Sequence, residues 1–97
     1  GKKTVTITTT LGATRDVEVR QVPVSKMKDW LAAQEDEPKL IALATNLISV
    51  EIDTLTPQSF LDLLKAAEEL NTDFFLGWFA RRNARMAHIE SILGKPA

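Results

Sequence analysis

Residues 3–22 read KTVTITTTLGATRDVEVRQV. Two runs of alternating apolar and polar residues flank a short loop that contains Gly, and the apolar members of these runs are Val5, Ile7, Val17 and Val19. This alternation of β-branched residues is typical of a β-hairpin with one buried face. We therefore predict a hairpin over 3–22 whose apolar side chains face the rest of the protein. Because Val22 joins this face only if the register shifts, we also expect a bulge near Gln21.

The remainder of the chain predicts four helices, because its apolar residues recur every three or four positions. Ser25 is a candidate N-cap for the first helix. Thr56 and Pro57 form a strong helix start, and Asn71 tolerates the backbone conformation that closes a helix. The expected helices span 26–34, 38–49, 57–70 and 73–93, and residues 50–55 are expected to be extended or irregular.

These elements together are typical of an α+β fold, mostly helical, in which an N-terminal hairpin packs on about four helices. A two-stranded hairpin is at best marginally stable alone, so it must pack on the helices. We expect a single domain over 1–97, with the hairpin over 3–22, a helical part over 25–93 and a tail over 94–97.

The composition argues against most classes of catalytic and metal site. The chain has 97 residues, a formal net charge of −1, no Cys and one His. Disulfide frameworks, thiolate zinc sites, Cys nucleophiles and His-rich metal sites are therefore excluded. The four Gly are isolated, so no Gly-rich loop is present to bind phosphate. We expect a protein that is not an enzyme, holds no cofactor and does not enter a membrane.

Two helical segments carry more apolar residues than a small core needs. The helix expected over 38–49 is apolar around most of its circumference, and four aromatic residues lie within the six positions 74–79. We expect an exposed apolar surface that either self-associates or accepts an amphipathic helix of a partner. The residues predicted to form this partner-binding surface are Leu40, Leu43, Leu47, Phe74 and Trp78.

A basic cluster in the last helix favours a different hypothesis. Arg81, Arg82 and Arg85 lie close together there, and residues 72–97 carry a local charge of +2, against −4 for residues 48–71. Such asymmetry is typical of a nucleic-acid surface, or of two helices that attract each other across a helical hairpin. The sequence pI of about 5.8 lies below the range of most nucleic-acid-binding domains, so we expect no binding to nucleic acid.

Three segments carry a resemblance to a known family. They are the Thr-rich hairpin with the following VRQVPV at 19–24, the LTPQSF at 55–60 and the NTDFF at 71–75. Over about residues 4–80 this arrangement resembles the small tail assembly chaperones of long-tailed bacteriophages, the lambda-type tail assembly proteins. The resemblance implies a protein that binds the tape measure protein, keeps it soluble and helps to recruit tail tube subunits during tail morphogenesis. It also implies action in the host cell cytoplasm, absence from the mature virion, and no catalysis or cofactor.

Two alternative functions stay open at the level of sequence. The first is a small DNA-binding regulatory or antitoxin-like protein that uses the helix face of Arg81, Arg82 and Arg85. The second is a structural tail or head-completion component that remains in the particle. A long coiled-coil gene directly downstream of this gene would favour the tail assembly chaperone.

Overall fold

The N-terminal hairpin is present in the computed structural model, which describes residues 1–94. Strand β1 (Lys2–Thr8) pairs antiparallel with β2 (Thr14–Arg20), and Val5 lies opposite Val17. Gly12 has a φ of 87° in the connecting turn, a conformation that L side chains rarely adopt, and its N–H donates to the Thr9 carbonyl at 2.9 Å. The predicted inward face is confirmed, because its residues are buried or half-buried: Val5, Ile7, Val17 and Val19.

The predicted bulge near Gln21 is wrong. Strand pairing runs without interruption from Lys2 opposite Arg20 to Thr8 opposite Thr14, and β2 ends at Arg20. Val22 becomes buried because the chain leaves the sheet and its N–H donates to the Asn71 side chain at 2.8 Å. A hydrogen bond to a distant helix therefore replaces the register shift that the sequence pattern required.

Three short helices follow the hairpin, and their boundaries differ from the prediction. A 3₁₀ turn over Val24–Lys26 leads into α1 (Met27–Ala32), so Ser25 lies inside the turn and is not an N-cap. Helix α2 spans Glu37–Ala44. Its N-cap is Asp36, whose side chain accepts from the Lys39 N–H at 3.3 Å. Residues 50–55 are not wholly irregular, because α3 covers Ser49–Asp53.

Helix α2 ends five residues before its predicted end. Thr45 has an extended backbone, and its hydroxyl donates to the Ile41 carbonyl at 2.7 Å while accepting from the Leu47 N–H at 3.1 Å. These two bonds satisfy backbone groups that the helix end leaves unpaired. Leu47 then turns into the core although it lies outside the helix.

Helix α4 replaces two predicted helices. It runs without a break from Pro57 to Ile92. These 36 residues form a helix about 54 Å long at 1.5 Å per residue. Its start is as predicted, since the Thr56 side chain accepts from the Ser59 N–H at 3.3 Å and Pro57 takes the first turn. The predicted stop at Asn71 is wrong, and no helical hairpin joins the segments 57–70 and 73–93.

Asn71 stays helical because its side chain is used for packing. The side chain is buried, its Nδ2 donates to the Ala67 carbonyl at 2.7 Å, and its Oδ1 accepts the Val22 N–H. Because the NH2 and the carbonyl group of this buried amide are both hydrogen-bonded, Asn71 is held inside the helix and does not end it. Asn71 thus ties the end of the hairpin segment to the middle of α4.

The core lies between the inner face of the hairpin, α1, α2 and the first half of α4. Its most deeply buried large side chains are Ile7, Val19, Ile41 and Leu63. Trp30 of α1 stacks on Phe75 of α4 with ring centroids 5.7 Å apart, which closes the core at its far end. The α+β fold is confirmed, with a two-stranded sheet packed on four helices, although these are not the four that the sequence predicts.

The end of the described chain agrees with the predicted helix stop. Gly94 has a φ of 62° directly after the last helical residues. The predicted tail over 94–97 lies, apart from Gly94, outside the described residues. No helix within residues 1–94 combines the length and the apolar character needed to cross a membrane.

Candidate partner-binding surface

The last part of α4 extends away from the core. Every residue from Phe79 to Gly94 is exposed, whereas seven side chains between Pro57 and Phe75 are buried. We call residues 79–94 the C-terminal arm. Its helical part contains about four turns, and it explains why the molecule measures 62 × 22 × 21 Å.

An apolar stripe follows one face of the C-terminal arm. At 100° per residue its members fall within an arc of about 80° that also contains the buried Phe75. Their exposed fractions range from 39% to 76%, which is high for large apolar side chains on one helix face. The residues of this apolar stripe are Phe79, Met86, Ile89 and Leu93. Of the buried residues of α4, Leu64, Asn71 and Phe75 fall within this arc. Leu63 and Ala67 lie further round the helix, in line with Arg81 and Arg85.

The three Arg residues border the apolar stripe on one side. Arg82 lies within the arc of the stripe, and Arg85 and Arg81 lie progressively further round the helix. All three are exposed, and residues 79–94 contain one acidic residue. The C-terminal arm is therefore an apolar strip with a positive flank.

A groove opens at the point where the arm leaves the core. Its volume is about 200 Å³, and α1 forms one wall while α4 forms the other. Apolar side chains dominate the lining and include Phe79, the first member of the apolar stripe. The lining residues are Trp30, Leu31, Gln34, Glu68, Thr72, Phe75, Leu76 and Phe79. Phe79 thus belongs to both the groove and the stripe, and Arg82 separates it from Met86 along the stripe.

The structure does not bring the predicted partner-binding residues into one surface. Leu40 and Leu47 are buried at 4% exposure and Leu43 is half-buried, so the expectation that they are exposed is wrong for the first two. Helix α2 packs on α3 and α4, so less of it is exposed than the sequence pattern suggested. Phe74 keeps 39% exposure, and Trp78 is half-buried against the core. These two aromatic residues lie at the base of the arm.

The sequence predicted a helix over the stripe but did not identify the stripe as an exposed surface. The structure shows that Phe79, Met86, Ile89 and Leu93 are all exposed. Arg81, Arg82 and Arg85 do lie together on one exposed flank, as their spacing predicts.

Ion pairs between the hairpin and the helices lie away from the C-terminal arm. Lys3 of β1 donates to the Glu69 carboxylate of α4, and this bond together with the lysine charge holds the Glu69 pKa below its ordinary value. Arg15 contacts Glu51 at 3.0 Å across the hairpin and α3. Within residues 1–94, no three His, Asp or Glu side chains are grouped closely enough to hold a metal ion.

Comparison with known proteins leaves the chain without an assigned family. No protein-family model matches it, and neither a curated protein nor a solved structure is significantly similar to it.

Proposed function

We propose that this protein is a phage tail assembly chaperone that binds the tape measure protein, keeps it soluble and helps to recruit tail tube subunits in the host cell cytoplasm. The observation that carries the proposal is the C-terminal arm, a helix whose apolar stripe has no cover in residues 1–94. An exposed amphipathic helix beside an apolar groove is suited to hold another helix. Such binding needs neither catalysis nor a cofactor.

The motif positions in the fold support the same proposal. The LTPQSF segment at 55–60 starts α4 through the Thr56 cap, and the NTDFF segment at 71–75 lies where α4 leaves the core. Two of the three segments that carry the resemblance therefore belong to α4, the helix that extends beyond the core. Their placement connects the sequence resemblance with the exposed surface.

Co-expression with tiled fragments of the tape measure protein encoded nearest to this gene tests the proposal. The wild-type chain should raise the soluble yield of at least one aggregation-prone fragment and co-purify with it. Phe79→Asp/Met86→Asp should abolish both effects, because two charges would interrupt the apolar stripe.

Ala84→Asp/Ala87→Asp is the matched control, since it adds the same charges to exposed positions outside the arc of the stripe. It should retain the rescue, and circular dichroism should show all three chains folded. If the wild type solubilises no fragment, this function is wrong.

A second candidate is DNA binding through the positive flank, favoured by the joint exposure of Arg81, Arg82 and Arg85. Each phosphate contact releases counterions, so a plot of log affinity against log salt concentration would have a slope of roughly −1 per contact. Anisotropy of labelled duplex DNA across a salt series tests it. Salt-sensitive binding that the triple Ala variant loses would favour this candidate over the chaperone.

A further inference from the structure

The apolar stripe has the spacing of a coiled-coil seam. Starting at Phe75, the face advances in alternating steps of four and three residues through positions 79, 82, 86, 89 and 93. These steps define the a and d positions of consecutive heptads, the pattern by which one helix packs along another. The geometry of the stripe therefore calls for a helix as its occupant, aligned along the arm.

A second copy of this chain is a poor occupant for this seam. Arg82 occupies a d position, so a parallel pair would place it against its own counterpart. An antiparallel pair centred on Ala84 would place Arg82 and Arg85 of both copies within on the order of 6 Å along the helix axis. In either arrangement each copy brings three Arg and one acidic residue, Glu90, so the contact joins two surfaces of like net charge, which opposes association.

We propose that the C-terminal arm docks an acidic amphipathic helix of a partner protein. The partner helix carries apolar residues at its a and d positions, which cover the apolar stripe. It carries Asp or Glu beside that face, where they pair with Arg82 and Arg85 through charge-assisted hydrogen bonds. The inference names the site and the partner chemistry of the function proposed above and rests on it.

The groove extends the docking site towards the core. It begins at Phe79, the first residue of the stripe, and reaches Trp30 and Phe75, whose rings stack on each other. A volume of about 200 Å³ accommodates one large apolar side chain near the end of the partner helix. That side chain would fix the register of the partner along the arm, because the rest of the seam is a regular repeat.

Two synthetic peptides serve as probes of the full chain. Each is a three-heptad helix with Leu at a and d, and the two differ only in having Glu or Lys at e and g. Like charges at these positions keep each peptide from pairing with itself. Fluorescence anisotropy should show roughly tenfold tighter binding of the Glu peptide, with an affinity that falls as salt rises.

Charge reversal tests which residues select the peptide. Arg82→Glu/Arg85→Glu should reverse the preference, so that the Lys peptide binds more tightly than the Glu peptide. Lys28→Glu/Lys39→Glu changes the net charge equally at exposed positions of α1 and α2 and should leave the preference unchanged. Circular dichroism checks that both variants fold.

Several outcomes overturn the proposal. They are failure to bind the Glu peptide, equal affinity for both peptides, and a preference that Arg82→Glu/Arg85→Glu leaves unchanged. Displacement of the Glu peptide by duplex DNA at lower concentration would assign the flank to nucleic acid instead. A dimer in sedimentation equilibrium that Met86→Asp dissociates would assign the seam to a second copy.

The two proposals fail separately. Rescue of a tape measure fragment without binding of the Glu peptide would leave the chaperone function standing and overturn the acidic-helix site. Peptide binding without rescue of any fragment would retain the docking site and overturn the chaperone function.

Discussion

The two halves of α4 differ in burial although they belong to one uninterrupted helix. Between Pro57 and Phe75, one face lies against the hairpin, α1 and α2, and buries Leu63, Leu64 and Ala67. Between Phe79 and Ile92, the continuation of that face is exposed. Helix formation and burial are therefore separate properties, because the first is local and the second needs a second surface.

The comparison also shows that an apolar repeat does not identify the surface that covers it. Both halves repeat apolar residues every three or four positions, and in both the repeat defines a face. The first half finds its cover in the same chain. For the second half, the heptad spacing and the positive flank point to a cover from outside it. The variants below are arranged to break or sharpen this contrast, from the largest expected effect to the smallest.

Truncation of one buried and one exposed apolar residue should show the contrast most strongly. Leu63→Ala should lower the free energy of unfolding by about 2–5 kcal/mol, because the side chain is fully buried and its removal leaves a cavity. Ile89→Ala in the arm should change it by no more than about 0.5 kcal/mol. Urea denaturation followed by circular dichroism measures both. Equal losses would mean that the arm is packed in solution.

Asn71 tests the boundary between the two halves. Asn71→Ala should lower the free energy of unfolding by about 1–3 kcal/mol, since it leaves the buried Val22 N–H without an acceptor. Asn83→Ala, at an exposed position of the arm, should be neutral or slightly stabilising because Ala is the better helix former. Urea denaturation of the two variants gives the comparison, and an equally neutral Asn71→Ala would contradict the tie between hairpin and helix.

Gly77 lies between the two halves of α4, and its low helix propensity weakens the helix at this point. A Cβ at this position would meet the end of the flexible Arg81 side chain at 3.3 Å, which is free to move. Gly77→Ala should therefore stabilise α4 by about 0.5–1 kcal/mol through its helix propensity. Amide hydrogen exchange should become slower for residues 78–92 than for residues 57–70 relative to the wild type. An unchanged exchange rate in the arm would show that Gly77 does not limit its helicity.

The smallest effect on stability is expected for the contact between Lys3 and Glu69, which lies in the first half of α4. The Lys3 contact lowers the Glu69 pKa in the folded protein, so its stabilisation is present above the ordinary carboxyl pKa and is lost as the pH falls. Lys3→Met should raise the Glu69 pKa towards its ordinary value, as measured by NMR titration of the carboxyl carbon. A Glu69 pKa that does not rise would remove Lys3 as the cause.

Several elements were predictable from local sequence because their causes are local. The hairpin follows from alternation of β-branched residues about a Gly-containing turn, and the start of α4 follows from Thr56 and Pro57. The shared flank of the three Arg residues also follows from helical spacing alone. Each of these features depends on neighbours within a few positions.

Other features were mispredicted because distant contacts decide them. Asn71 is a plausible helix terminator until Val22 supplies a donor from a segment 49 residues away. Leu40 and Leu47 resemble surplus apolar surface in the sequence, but they are buried in the folded chain, where α2 packs on α3 and α4. Met86 and Ile89 belong to the expected helix over 73–93, and only the structure shows that their side chains are exposed. None of these contacts is encoded in local spacing.

The sequence by itself therefore determined the elements of this protein that arise from local propensity, capping and turn chemistry, namely the hairpin, the start of α4 and the apolar and basic faces along it. Only the tertiary structure decided that α4 is continuous and which stretch of its apolar face is exposed. The physical reason is that burial is a property of two surfaces in contact, and a periodic pattern describes one of them.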